Sequence, residues 1–204
     1  MAFGLYSRYR NIKQLNAVLE EKNRIIEEER KNSEKLLLNI LPKVVADELK
    51  IKGSASAEKY EKATVLFADF KGFSSIAKEL KPEKLVEDLD YCFGAFDEIV
   101  ERHGLEKIKT IGDAYVCAGG MPRGSKSNAI DVVEAALEMQ HFLDDMRKSK
   151  KNGNVTPFHA RIGIHTEPLV AGVVGKKKFA YDIWGDTVNL AARLESNSEP
   201  GRIN

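Results

Sequence analysis

Three segments of the sequence place polar side chains at strand ends and turns, where they can bind ligands rather than pack. In the first, VLFADFKGFSSIA, Asp69 ends an apolar run, and Gly72, Phe73 and Ser74 follow at the predicted start of a helix. A carboxylate beside a helix N-terminus can bind a divalent cation while the backbone amides bind phosphate oxygens. The same residues also fit simple helix capping by Asp69 or Ser74, and this segment alone does not separate the two interpretations.

The second segment, KIKTIGDAYVCAGG, places Asp113 in the tight turn of a predicted hairpin with apolar strands. Gly-Asp pairs are common in turns, so turn formation by itself accounts for this residue. Two aspartates at strand ends of one small domain, Asp69 and Asp113, favour a different interpretation. Together they could hold two Mg²⁺ ions in the geometry used for phosphoryl transfer.

The third segment, FAYDIWGDTVNLAARLES, contains a turn at Gly185-Asp186 that opens a helix. Asn189 and Arg193 are four residues apart and therefore lie on one face of this helix. Arg193 carries a permanent charge and a fork of N–H donors suited to phosphate oxygens. The alternative is an ordinary surface arginine paired with Glu195 or another acid.

Hydrophobic periodicity predicts the elements that position these segments. The strands are expected at residues 64–67, 105–111, 114–118, 158–165 and 169–174, and the helices at 71–80, 82–104 and 130–146. The order β-α-α-β-β-α-β-β, with a mixed sheet covered by helices, predicts an α+β sandwich of the ferredoxin-like kind. Pro200-Gly201 and the RIN that follows read as a turn leading into a new strand, which suggests a chain cut before its last elements.

Residues 1–41 are predicted to form a signalling helix in a parallel, two-stranded coiled coil. The a positions of the heptad repeat are Leu5, Ile12, Leu19, Ile26, Ser33 and Ile40, and the d positions are Arg8, Leu15, Lys22, Glu29 and Leu36. The alternative, a solvated helix lying on its own domain, fits poorly with the highly charged outer faces. Residues 42–59 are predicted to form a connector with a short helix that ends at Gly53, and residues 60–204 are predicted to form one globular domain.

Composition excludes several classes of function. The net charge of +1 provides no basic stripe for nucleic acid. Cys92 and Cys117 lack the spacing of a zinc site or a disulfide framework, and they read as reduced thiols in a core.

No apolar run is long enough to span a bilayer, which predicts a cytoplasmic domain. The opening GLYSRYR fits equally the start of a solvated helix and the cytoplasmic flank of a membrane-bound receptor.

The ordered motifs F-A-D-x-x-G-F, K-T-I-G-D-A-Y and Y-D-I-W-G-D-T-V-N-L-A-A-R-L-E-S resemble the class III adenylyl and guanylyl cyclases, closest to the bacterial homodimeric type. LLLNILP also resembles the connector that precedes this domain in such proteins. The resemblance covers residues 36–204. Three long motifs in order are far more specific than one.

The resemblance implies a role for each matching residue. Asp69, Asp113 and the carbonyl of Phe70 match ligands of two Mg²⁺ or Mn²⁺ ions. Lys109, Asp182 and the backbone of Ile183 match the groups that contact adenine. Asn189 matches the residue that orients the ribose, and Arg193 the arginine that stabilises charge on the reacting phosphate. Gly72, Phe73 and Ser74, at the helix N-terminus described above, are predicted to bind the substrate's phosphates.

The resemblance also implies ATP as substrate and a homodimer whose active sites are composite. Guanylyl cyclases of the family typically have Glu and a small residue where Lys109 and Asp182 stand, so a guanylyl cyclase is the weaker alternative. A silent dimeric signalling module is the other, and nothing here resembles the GG-D/E-E-F loop of diguanylate cyclases. Glu167 stands at a position where the family usually has glycine. The family's final strands, which carry a triphosphate-binding lysine, are absent here. An upstream sensor is expected to regulate the sites through the coiled coil.

Overall fold

The computed structural model describes residues 2–148, 156–175 and 178–204, without the side chains of residues 1–7 and 9. The predicted seam residue Leu5 therefore lies outside the described side chains. The chain divides into two compact units, residues 1–51 and 52–204. Within the described residues, none of the helices combines the length and the apolar character that crossing a membrane requires.

The first unit consists of two helices, α1 (Ala2–Leu38) and α2 (Lys43–Lys52). The helix predicted to reach residue 41 ends at Leu38, because Pro42 has no N–H to donate to the Leu38 carbonyl. A tighter turn closes α1, with the Ile40 amide bonded to the Leu37 carbonyl at 3.1 Å. Ile40, assigned above to the seam, thus lies beyond the helix.

The seam of α1 is uncovered in the single chain. Ile12, Leu15, Leu19, Ile26 and Leu36 each leave more than half of their surface exposed, between 56% and 65%. Exposed large apolar residues on one stripe of a long helix are typical of a surface that pairs with another helix. The coiled-coil dimer itself stays a prediction.

The second unit is a five-stranded antiparallel sheet with helices on both faces. Its strands are β1 (Glu58–Phe70), β2 (Glu106–Ile111), β3 (Ala114–Gly119), β4 (Ala160–Val174) and β5 (Ala180–Trp184). Its helices are α3 (Phe73–Glu79), α4 (Pro82–Arg102), α5 (Ala129–Lys148) and α6 (Asp186–Ser196). The strand order β2-β3-β1-β4-β5 contains the ferredoxin-like arrangement with β5 added at one edge, which confirms the predicted fold class.

Three details differ from the prediction. The sheet is not mixed, because all four ladders between its strands are antiparallel. The two strands predicted at 158–165 and 169–174 form one strand, β4, through Pro168. The β1–β4 register shifts between Tyr60 and Ala63, opposite the proline, so its missing N–H does not end the ladder. Strand β5 was not predicted. The predicted turn at Pro200-Gly201 is confirmed, and Ile203 forms a parallel bridge with Ile162.

The alternation of side chains along β1 and β4 separates core from site. Leu66, Ala68 and Phe70 point into the main core, which α4 and α5 cover. Successive strand residues face opposite sides, so Asp69 points to the other face. Helix α6 packs on that face, and Gly163 of β4 makes the close approach possible because a Cβ there would overlap the α6 backbone.

Candidate active site

Asp69 and Asp113 lie together at one end of the sheet. Asp69 is the next-to-last residue of β1, and its cross-strand partner on β3 is Ala114, the residue after Asp113. Gly112 takes a positive φ of 62° and so forms the tight β2–β3 turn that holds Asp113. Burial raises the pKa of Asp113, and the negative charge of Asp69 raises it further. The fold therefore places two carboxylates in one electrostatic environment.

The segment after Asp69 begins helix α3. Phe70 is buried, and its ring stacks on Phe158 with the centroids 4.5 Å apart, which anchors the strand end. Gly72 is the N-cap residue in the left-handed conformation, and no side chain caps the helix. Capping by Asp69 or Ser74, the structural alternative for this segment, is therefore wrong. Phe73 packs against the core, whereas Ser74 is exposed.

Lys109 and Asp182 form an ion pair although they lie 73 residues apart. The Lys109 Nζ is 2.5 Å from Asp182 Oδ2, and both side chains are partly buried. The backbone N–H of Ile183 donates to the other carboxylate oxygen at 2.9 Å. Lys109 is on β2 and Asp182 on β5, the two outer strands in the sheet order, so the sheet must curl to bring these edges together. The result is a donor and an acceptor side by side.

Asn189 and Arg193 lie on the exposed face of α6. The opposite face of this helix buries Thr187, Ala191 and Glu195. Glu195 pairs with Arg161, so the alternative in which Arg193 pairs with Glu195 is wrong. Within the described part of the chain, Arg193 has no ion pair. Its guanidinium is therefore available to an anionic ligand.

Arg161 of β4 is a site residue that sequence reasoning missed. It is the cross-strand partner of Asp69, and its Nη2 lies 2.7 Å from Asp69 Oδ1 and 2.8 Å from Glu195 Oε1. Burial raises the pKa of Glu195, and the negative charge of Asp69 adds to this, while Arg161 opposes it. A charged residue in the apolar strand segment HARIGIH was the available signal, but its partners were not visible in the sequence.

The donor set fits a hard divalent cation. Carboxylate and carbonyl oxygens are the ligands that Mg²⁺ prefers, and Mg²⁺ sites commonly use one or two carboxylates together with substrate phosphates. Among the described residues, no group of three or more His, Cys, Asp or Glu side chains could hold a metal ion. A cation bound by Asp69, Asp113 and the Phe70 carbonyl would therefore need further oxygens from water or from a nucleotide.

The comparison with protein families identifies the domain. The model of the adenylate and guanylate cyclase catalytic domain matches residues 55–204. The chain belongs to the class III nucleotidyl cyclases. The match begins close to residue 52, where the second compact unit starts, so helices α1 and α2 precede the catalytic domain in the chain.

Relatives with both base preferences match this class III cyclase domain. An adenylate cyclase of Mycobacterium tuberculosis is 42% identical over 180 residues, which make up 88% of this chain and 40% of that protein. Human guanylyl cyclase C is 40% identical over 200 residues, which make up 98% of this chain and 18% of that protein. The chain spans less than half the length of either, and the family by itself does not decide the base.

Solved structures show the same fold. The adenylyl cyclase CyaB from P. aeruginosa superposes with a TM-score of 0.66 at 32% identity, covering 72% of this chain and 77% of that one. The catalytic core of a rhodopsin-guanylyl cyclase with converted specificity, in complex with ATPαS, has a TM-score of 0.66 at 34% identity, covering 72% and 78%. The fold is therefore that of class III cyclase catalytic domains.

Proposed function

We propose that this cyclase domain converts ATP to 3′,5′-cyclic AMP and pyrophosphate. The Lys109–Asp182 pair carries the proposal. Its ammonium and carboxylate groups are 2.5 Å apart and presented by two strands. The Watson–Crick edge of adenine offers an exocyclic amine that donates to Asp182 and a ring nitrogen that accepts from Lys109. Guanine reverses this pattern, and a site built for one polar pattern strongly rejects the other.

The reaction needs few protein groups. The ribose 3′ oxygen forms a bond to the α-phosphorus, the bond from that phosphorus to the bridging oxygen of pyrophosphate breaks, and the 3′ hydroxyl loses its proton. Asn189 orients the ribose, and Arg193 stabilises the charge that develops on the phosphoryl group. Two Mg²⁺ or Mn²⁺ ions, bound by Asp69, Asp113 and the Phe70 carbonyl, would acidify the 3′ hydroxyl and neutralise the triphosphate. Gly72, Phe73 and Ser74, at the N-terminus of α3, would bind the phosphates through their backbone amides.

The proposal includes a homodimer with two composite sites. Among the described residues of a single chain, no hydrogen bond or ion pair joins Lys109 or Asp182 to the metal aspartates. Asn189 and Arg193 face outward on α6. A site assembled across a dimer explains both features, with the aspartates from one protomer and the other four residues from its partner. The exposed seam of α1 supplies a surface for the pairing, through which an upstream sensor would act.

A guanylyl cyclase is the second candidate, because human guanylyl cyclase C matches nearly the whole chain. Lys109 and Asp182 oppose it, since guanine would leave both of their polar groups mismatched. A catalytically silent module is opposed by the presence of all six polar residues, Asp69, Lys109, Asp113, Asp182, Asn189 and Arg193.

Product identification tests the proposal. The purified chain is incubated with Mn²⁺ and either ATP or GTP, and cyclic products are quantified by mass spectrometry. We expect cyclic AMP with a strong preference for ATP. The double variant Lys109→Glu with Asp182→Cys should lose ATP turnover and gain preference for GTP, at a reduced rate. Each single change should mainly reduce activity, because it leaves a polar group unpaired. Equal use of ATP and GTP by the wild type would contradict the assignment.

A further inference from the structure

Arg161 already holds the carboxylate that the proposed function assigns to a metal ion. Its Nη2 lies between Asp69 Oδ1 and Glu195 Oε1, at 2.7 and 2.8 Å. Its Nη1 donates to the Ser196 carbonyl at 3.2 Å, which ties the guanidinium to the end of α6. Only 16% of the Arg161 side chain and 9% of the Glu195 side chain are exposed, so these contacts are shielded from solvent.

We propose that Arg161 is a resident cation that neutralises Asp69 while no divalent ion is bound, so that the site binds Mg²⁺ or Mn²⁺ tightly only together with a nucleoside triphosphate. The inference rests on the proposed function, because it takes Asp69 as a metal ligand. It concerns the order of binding, which the assignment of metal ligands leaves open.

The charge inventory of the site supports this role. Two carboxylates, Asp69 and Asp113, would have to hold two doubly charged ions. Arg161 already pairs with the Asp69 carboxylate and shares its charge between Asp69 and Glu195. An arginine remains protonated at every physiological pH, so its opposition to a metal ion is permanent. A triphosphate brings enough negative charge to reverse the balance, and its oxygens complete the coordination that the side chains leave unfilled.

Glu195 gives Arg161 a second carboxylate partner. When Asp69 turns to a divalent ion, the guanidinium can stay on Glu195 and the Ser196 carbonyl without becoming an unpaired buried charge. This arrangement separates a resident cation from a purely structural ion pair, in which loss of either partner would only destabilise the fold.

Removing Arg161 has two opposing effects on metal binding. It takes away a positive charge that repels the ion in a partly buried site, and it also frees the rotamer of Asp69. The first is a charge–charge interaction at short range, whereas the second restores the freedom of one short side chain. We therefore expect the electrostatic effect to dominate and the ion to bind more tightly.

The test measures Mn²⁺ binding to the whole chain without nucleotide, from the electron paramagnetic resonance signal of free Mn²⁺. We expect Arg161→Gln to tighten binding tenfold or more, about 1.4 kcal/mol for each factor of ten. Arg161→Lys should stay close to wild type. Glu195→Gln should weaken binding, because it removes a negative charge and leaves Arg161 on Asp69 alone. With a non-hydrolysable ATP analogue present, the difference between Arg161→Gln and wild type should shrink.

Arg102→Gln is the control. Arg102 of α4 also pairs with a carboxylate, that of Glu138 on α5, and these helices cover the face of the sheet opposite Arg161. Its Mn²⁺ affinity should equal that of the wild type. Circular dichroism checks folding, and if Arg161→Gln does not fold, the sign of the Glu195→Gln effect decides.

The outcomes separate this inference from the proposed function. Unchanged or weaker binding in Arg161→Gln, or tighter binding in Glu195→Gln, would overturn the resident-cation role. Asp69→Asn should abolish the binding that wild type and Arg161→Gln show. If Asp69→Asn binds Mn²⁺ as well as its parent, or if no variant binds it with or without nucleotide, the metal assignment itself is wrong.

Discussion

At the residue scale, Glu106 of β2 is a partly buried carboxyl group with no counter-charge among the described residues. No ion pair to Glu106 occurs among the described residues, and burial raises its pKa to about 7. Burial raises the pKa of Tyr181 on β5, and the negative charge of Glu106 adds to this, which places Glu106 in the region where β2 and β5 approach each other. A carboxyl whose folded pKa exceeds its unfolded value binds more protons when folded, so its ionisation destabilises the fold.

The contribution of Glu106 to the stability of the fold should decrease as pH rises. Between pH 4.5 and about 7 the folded state binds more protons at Glu106 than the unfolded state, so the stability due to this group falls as pH rises through that window. Glu106→Gln should remove this part of the pH dependence. It should also raise the free energy of unfolding at pH 8 by about 1–3 kcal/mol. Urea titrations at pH 5 and pH 8 measure both effects.

The exposed Glu101→Gln on α4 serves as the control for this charge change. It should alter the free energy of unfolding by less than about 0.5 kcal/mol at either pH. Equal pH dependence in Glu106→Gln and wild type would show that Glu106 is ionised in the folded protein at neutral pH.

At the element scale, the contact between α6 and β4 positions Asn189 and Arg193. A Cβ at Gly163 would overlap the backbone of Glu195 and Ala191, and backbone cannot move aside as a flexible side chain can. Gly163→Ala should therefore destabilise the domain by about 1–3 kcal/mol, as overpacking does. It should also lower turnover, because α6 has to shift.

Gly94 of α4 is the matched control. A Cβ there meets nothing within 4 Å. Because glycine in a helix interior costs roughly 0.5–1 kcal/mol relative to alanine, Gly94→Ala should stabilise the protein by about that amount. Chemical denaturation compares the two variants, and a destabilised Gly94→Ala beside an unaffected Gly163→Ala would contradict the packing described for α6.

Helix α1 provides a second prediction at this scale. Lys22 and Glu29 occupy seam positions where leucine would pack, and the neighbouring seam residues Leu19 and Ile26 are both exposed. Replacing Lys22 and Glu29 with leucine should tighten dimerisation in sedimentation experiments and change the basal turnover rate. If neither association nor turnover changes, the heptad assignment is wrong.

At the scale of the whole molecule, composite sites predict complementation. Asp69→Ala removes the metal half of a site, and Arg193→Ala removes the half that stabilises the reacting phosphate. Each homodimer should be inactive, whereas a mixture should recover activity because one of the two heterodimer sites keeps both halves intact. Cyclic AMP production is measured after subunit exchange.

The control for complementation combines Asp69→Ala with Asp113→Ala, whose lesions fall in the same half-site. A heterodimer of these two has no intact metal half, so the mixture should stay inactive. Failure of the first mixture despite demonstrated exchange would mean that each protomer holds a complete site.

Local features of this protein were predictable from residue types and their order. Hydrophobic periodicity predicted α4, α5 and the β2–β3 hairpin, since that pattern reflects which side of an element is buried. The motifs around Asp69, Asp113 and Asn189 predicted the family, because the residue types and their order are visible without any contact. The turn at Gly201 follows from backbone chemistry alone, whereas the predicted end of α1 was three residues too late.

Contacts between residues far apart in the chain became visible only in the folded domain. The curl of the sheet brings Lys109 to Asp182, and the β1–β4 register places Arg161 opposite Asp69. The bulge in β1 lets β4 continue through Pro168, against the local preference of proline. These outcomes depend on strand register and on packing between elements far apart in the chain, whereas sequence patterns report the burial and backbone preferences of neighbouring residues.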